Sequence, residues 1–193
     1  MPPKEKIGKQ ELLEAGLAII RKNGFENVNA RSIAKELSCS THPIFRVYKD
    51  MGDFKAALFD FAVDYCNEYM GSVMTAYPNR RAFAIGMSYI DFAAKESNLF
   101  KFLFMSNQFK RNQAEQIWKS EENAPVIHEM ALGAGISFEQ GQSLFQRLWL
   151  FTHGIASLAA TNGEFFTADE TAQILTEAFT GFLNQIKSKG ANQ

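Results

Sequence analysis

Apolar positions recur along this chain at helical rather than alternating spacing. Ile7, Leu12, Leu13, Leu17, Ile19 and Ile20 fall near a 3.6-residue period and predict a helix from about Lys4 to Asn23. Asn23-Gly24 closes it, because glycine accepts the left-handed backbone just past a helix end, and Phe25 follows as the apolar clasp. Asn29 is a good N-cap for a short helix reaching about Leu37. Ser38-Cys39-Ser40 reads as a tight turn, and Ser40 caps a second short helix over Thr41–Tyr48, with Pro43 in its first turn where a missing N–H costs little. Beyond Gly52 the periods lengthen. Helices are expected over about Asp53–Ala76 and Arg80–Lys95, one or two irregular ones within 98–119, and a shorter one over about 125–134. Ser137-Phe138-Glu139-Gln140 and Thr167-Ala168-Asp169-Glu170 fit capping boxes that open helices reaching about Thr161 and Lys187. No segment alternates β-branched residues with period two, so strands are not supported.

Composition divides this helical chain. Of 18 phenylalanines only Phe25 and Phe45 lie in residues 1–50. Those fifty residues carry nine Lys/Arg and six Asp/Glu, whereas the remainder carries eleven and fifteen. A basic, aromatic-poor head over 1–50 and an acidic, Phe-rich body over 51–193 predict two parts with different tasks.

Several functions drop out on chemistry. A membrane span needs roughly 20 apolar residues, and the longest uncharged run, Leu148–Gly163, includes Thr152, His153, Ser157 and Asn162. The first residues, Met1-Pro2-Pro3-Lys4-Glu5-Lys6, have no apolar stretch of the kind a secretory signal uses. Cys39 and Cys66 cannot build a disulfide framework, so a cytoplasmic protein with reduced thiols and core cysteines is expected. Three histidines without ligand spacing predict no metal site. A Gly-rich phosphate loop and a nucleophile elbow are both missing, and adjacent Glu121-Glu122 would diverge on a helix, so neither an enzyme nor a cofactor is expected.

The head carries the chemistry. A helix followed by two short helices across a three-residue turn is the helix-turn-helix layout. Ile33, Ala34, Leu37, Cys39, Ile44 and Phe45 can close its small core, leaving Arg31, Thr41, His42, Arg46, Tyr48 and Lys49 to face outward. Cations there would neutralise phosphates, and polar side chains at the start of the second helix would meet base edges. Lys4, Lys6 and Lys9 form either a solvated tail or an arm along the nucleic acid.

Residues 7–60 resemble the DNA-binding domain of TetR/AcrR-type transcriptional regulators through Ile33-Ala34, Ser40, Ile44-Phe45 and Tyr48-Lys49. A looser likeness, Trp149-Leu150-Phe151-Thr152-His153-Gly154, is similar to the Trp-His-Gly signature of one class of their C-terminal domains. The resemblance implies a dimeric subunit of about nine helices that represses transcription until a small molecule fills the C-terminal domain. It implies that Thr41, His42 and Arg46 meet bases, that Asn29, Ser40, Tyr48 and Lys49 meet phosphates, and that Arg31 does either. The chain departs from the pattern at Phe45, where the family carries tyrosine, and at Met51 and Gly52, where a lysine and an acidic residue are usual.

In the body, the last two long helices carry apolar positions on more than one side, which a second copy could cover to make a homodimer. The stretch Phe92, Phe100, Phe102, Phe104 and Phe109 lies where the family places its pocket. Phe92, Phe104, Trp118, Phe145, Trp149 and His153 are the candidates to line a site for a small hydrophobic, neutral or aromatic effector. His153, four residues after Trp149, is either a satisfied core histidine or a ligand contact. The expectation is a ligand-responsive repressor of a palindromic double-stranded DNA operator. The alternative is a helical small-molecule-binding or enzymatic protein whose head does not bind DNA.

Overall fold

The computed structural model describes residues 7–77, 80–106, 117–119, 121–163 and 166–190. The chain is all-α: every regular element among the described residues is helical. In chain order these are α1 (Lys9–Asn23), α2 (Ala30–Glu36), α3 (His42–Val47), α4 (Met51–Met74), α5 (Arg81–Lys95), α6 (Ser97–Phe100), α7 (Ala124–Ala134), α8 (Phe138–Asn162) and α9 (Ala168–Gly190). No described helix is long and apolar enough to cross a membrane.

Two compact units share these elements. The first comprises residues 1–68 and 96–108, the second residues 69–95 and 109–193. The chain passes between them within α4, at the end of α5 and after residue 108.

The first unit is built around α1, which packs against α2 and α6. Leu12, Ile20, Ile33, Ile44, Phe54, Leu58, Leu99 and Phe100 are fully buried. Gly24 ends α1 at φ 88°, its N–H bonded to the Ile20 carbonyl. The clasp expected at Phe25 has a partner: its ring stacks on Phe102 at 4.2 Å, and Phe102 meets the edge of Phe59 at 5.5 Å. Phe102 belongs to a single wide π-type turn, Lys101–Met105, that continues α6. This is the irregular middle foreseen in the sequence; part of it, residues 107–116, including Phe109, lies outside the described residues.

In the second unit α8 packs against α5, α7 and α9. Val126, Ile127, Met130, Leu144, Phe145 and Ile186 form its main cluster. Both capping boxes close as their spacing implies. Ser137 Oγ accepts from the Gln140 amide at 3.2 Å while Gln140 Oε1 accepts from the Ser137 amide at 3.0 Å. Thr167 Oγ1 accepts from the Glu170 amide at 3.2 Å and Glu170 Oε2 accepts from the Thr167 amide at 2.8 Å. Those bonds favour the ionised form and hold the Glu170 carboxyl below its ordinary range.

Candidate nucleic-acid interface

α2 starts on a fully used cap. Asn29 Oδ1 accepts from the Arg31 and Ser32 amides at 3.0 Å each, and its Nδ2 donates to the Asn27 carbonyl at 3.2 Å. Ser32 Oγ returns the favour by accepting from the Asn29 amide at 3.0 Å. Asn29 is therefore engaged in starting the helix, which satisfies amides that would otherwise lack a partner. Arg31, two residues on, is exposed.

The turn is a Schellman arrangement. The Cys39 amide donates to the Ala34 carbonyl at 2.9 Å and the Ser38 amide to the Lys35 carbonyl at 3.1 Å. Ser38 occupies the left-handed position at φ 50°, which glycine usually takes. Cys39, expected in the core, is half-buried, with Sγ donating to the Ser40 carbonyl at 3.1 Å. Cys66 is buried, and desolvation of a thiolate pushes its thiol up to about 12.

α3 begins one residue later than its sequence suggests. Thr41 stands at the N-cap without a side-chain bond, and Ser40 Oγ reaches only the His42 amide, at 3.4 Å. Ser40 and His42 are exposed and Thr41 is half-buried. The helix faces inward through Ile44 and Tyr48, four residues apart, and both are buried.

That register corrects two assignments. Tyr48 does not face outward: its ring meets the edge of Phe54 at 5.1 Å, and its hydroxyl is buried with no hydrogen-bond partner among the described residues. Burial and the neighbouring Asp53 carboxylate raise its pKa above the ordinary phenol value. Phe45, expected in the core, is 51% exposed, because one residue beyond Ile44 turns it about 100° away. The side chains that α3 exposes to solvent are His42, Phe45, Arg46 and Val47, with Lys49 just past its end. Arg46 Nη2 donates to the Ile7 carbonyl at 2.6 Å, so the beginning of the described chain is held against this helix. α4 then starts on Asp50, whose Oδ1 accepts from the Asp53 amide at 2.9 Å.

The six effector candidates do not converge on one site. Phe104 lies in the first unit beside Phe100, at 5.2 Å. Phe92 is fully buried against the Tyr69 ring at 5.3 Å, and Phe145 belongs to the main cluster of the second unit. Trp118, Trp149 and His153 do come together. Trp149 stacks on His153 at 5.1 Å and tilts against Trp118 at 5.6 Å, while the Tyr89 hydroxyl bonds His153 Nδ1 at 2.9 Å. Partial burial lowers the His153 pKa and favours the neutral ring.

The second unit does hold a cavity of about 490 Å³, and none of the six lines it. Its walls are Ala82, Gly86, Met130, Leu148, Leu175 and Phe179 among others. Elsewhere in this unit an apolar stripe faces outward. Leu150, Phe151 and Leu158 of α8 are exposed, as are Gly154 between them and Gly181 of α9. No protein-family model and no curated protein matches the chain.

Proposed function

We propose that this chain is a ligand-responsive, TetR-like transcriptional repressor that works in the cytoplasm and reads DNA through α3. The observation that carries this reading is the outward face of α3: His42, Phe45 and Arg46 stand exposed on the helix and Lys49 just past its end, with buried Ile44 and Tyr48 holding it from behind. Arg46 and His42 supply donors for base edges, Lys49 and Arg31 supply charge for phosphates, and an apolar ring at Phe45 suits a thymine methyl group. Without Tyr48 and with Asn29 occupied, backbone contact falls to Arg31, Ser40 and Lys49.

A pair of such heads must sit about 34 Å apart to meet successive major grooves. The stripe formed by Leu150, Phe151, Gly154, Leu158 and Gly181 supports a two-fold homodimer, since one patch on each copy can cover the other. The effector acts by binding the released form better than the DNA-bound form by a few kcal/mol, roughly the size of a useful population shift. The end of α5 offers a route, because Lys95 is followed directly by Glu96, which grips Arg21 of α1.

Selection of bound duplexes from a random pool tests the reading. A palindrome with half-sites one helical turn apart is expected, with affinity falling steeply as salt rises. No duplex binding even at low salt would overturn it and favour the helical binding protein with a silent head. The engagement of Asn29 and Tyr48 within the fold is what favours that second reading.

A further inference from the structure

The cavity of the second unit lies between α5, α7, α8 and α9, and its volume of about 490 Å³ is within the ~300–1,000 Å³ typical of sites for small organic ligands. Its walls are mostly apolar, through Val126, Met130, Leu148, Leu175, Phe179 and Leu183, with hydroxyls from Thr152 and Thr176. Among the described residues, charge enters only with Arg80, Arg81, Glu129 and Lys187. All four are exposed, so they belong at its mouth. Arg81 approaches Glu129 at 3.8 Å with both side chains about half exposed, a pair too open to be strong. The Arg80 guanidinium lies over the Phe83 ring at 4.0 Å, which orders it there. Among the described residues, three cations against one carboxylate leave the mouth positive above a mostly apolar interior.

A neutral apolar guest would make no use of that mouth, and a cationic amphiphile would be repelled by it. We infer that the cavity binds an amphipathic anion, a fatty-acid-like molecule whose apolar body fills the space between the helices and whose carboxylate sits among Arg80, Arg81 and Lys187. This rests on the reading of the second unit as the effector-binding body, and it replaces a neutral or aromatic effector with an anionic one. Occupancy need not compete with self-association. Leu175, Phe179, Leu183 and Lys187 follow one another at four-residue steps along one flank of α9, whereas Ile174, Ala178, Gly181 and Gln185 follow another.

Titration of the full chain with decanoate, decan-1-ol and decyltrimethylammonium, each below its micelle concentration, tests the inference. Decanoate should bind about tenfold more tightly than the alcohol, a difference of roughly 1.4 kcal/mol, and the ammonium should not bind. Gly133 lines the cavity, and a Cβ there meets nothing within 4 Å. Gly133→Leu should take up part of the space and weaken acid and alcohol alike, and leucine, a better helix former than glycine, preserves α7. Arg80→Gln combined with Arg81→Gln should bring decanoate down to the affinity of the alcohol and leave the alcohol unchanged. Glu129→Gln should strengthen decanoate. Equal binding of acid and alcohol, binding of both undiminished by Gly133→Leu, or no binding of decanoate overturns the assignment. The regulator reading fails separately: decanoate binding by a chain that binds no duplex sinks the regulator alone, and duplex binding without decanoate binding sinks the cavity assignment alone.

Discussion

The junction of α1, α4 and α6 and the outward face of α3 lie in the same unit and are built on opposite terms. At the junction Arg21 donates Nε and Nη2 to the two oxygens of Glu96 at 2.8 and 2.5 Å, and the Tyr65 hydroxyl adds a third bond to Glu96 at 3.0 Å. Asn98 Nδ2 donates to the Arg21 carbonyl at 3.0 Å, so the end of α1 is held at side chain and backbone together. Arg46, on α3, makes a single described bond to a carbonyl and otherwise stands in solvent with His42 and Phe45. Side chains with several mutual partners make a region rigid and costly to alter. Side chains with few partners inside the fold are free to find them outside it.

The largest effect is expected from Arg21→Ala. It leaves a carboxylate whose side chain is only 9% exposed without its cation, and a buried charge stripped of its partner costs on the order of 3 kcal/mol. Glu96→Gln should cost much less, about 1 kcal/mol, because Arg21 is 46% exposed and returns to water. Urea unfolding of both variants checks the asymmetry. Equal losses would mean that the junction is a surface contact and would erase the contrast with α3.

Gly16→Ala comes next. The added Cβ would meet Leu58 Cδ1, Leu58 Cδ2 and Phe54 Cζ at 3.0 Å, and both neighbours are fully buried with little room to yield. Overpacking costs about 1–3 kcal/mol against a gain near 1 kcal/mol in helix propensity. A net loss of about 1 kcal/mol is expected in the same urea titration, and a stabilised variant would show that the α1–α4 approach is looser than it looks.

Tyr48→Phe carries the comparison to the inner side of α3. The hydroxyl is buried without a partner, so its removal should stabilise the chain by about 1 kcal/mol and leave duplex affinity and its salt dependence unchanged. A tyrosine that met phosphate would behave in the opposite way, with unchanged stability and weaker DNA binding. Ser38→Gly should add roughly 0.5 kcal/mol, since relief of a left-handed φ of 50° slightly exceeds the added chain entropy. Its melting temperature, compared with that of Ser38→Ala, which keeps the Cβ and should gain nothing from relief of the backbone, checks the sign.

Helix order and several ends were legible because caps act locally: Asn29, Ser137–Gln140, Thr167–Glu170 and Gly24 each declare a terminus within three or four residues. By contrast, α1 starts at Lys9 behind Gly8 and not near Lys4, and α3 starts on Thr41 and not on Ser40. The orientation of Tyr48 and Phe45 was also present in the spacing, since Ile44 and Tyr48 share a face at four residues, but sorting by polarity put the apolar Phe45 inside and the hydroxyl-bearing Tyr48 outside. The Arg21–Glu96 pair spans 75 positions and left no local trace. The cavity escaped for a different reason. Aromatic identity drew attention to Phe92, Phe104 and Phe145, which fill space, while a cavity depends on where side chains are small, as at Ala82, Gly86, Gly133 and Ala134. Empty volume is a property of packing, and no residue type announces it.

The smallest stability effect should come from Phe45→Ala, and its smallness is the point. A ring with half its surface in water gives up little burial when truncated, so unfolding should shift by no more than about 0.5 kcal/mol. If α3 reads DNA, the same change removes an apolar contact with a base edge and should weaken the selected palindrome severalfold while leaving nonspecific duplex and the salt slope as they were, because no charge is lost. Lys49→Ala is the complementary control: it should weaken all sequences alike and reduce the salt slope by about 1. A stability loss of several kcal/mol for Phe45→Ala would mean that the ring is covered in the working protein, and α3 would then have to be read as an internal surface like the junction of α1 and α6.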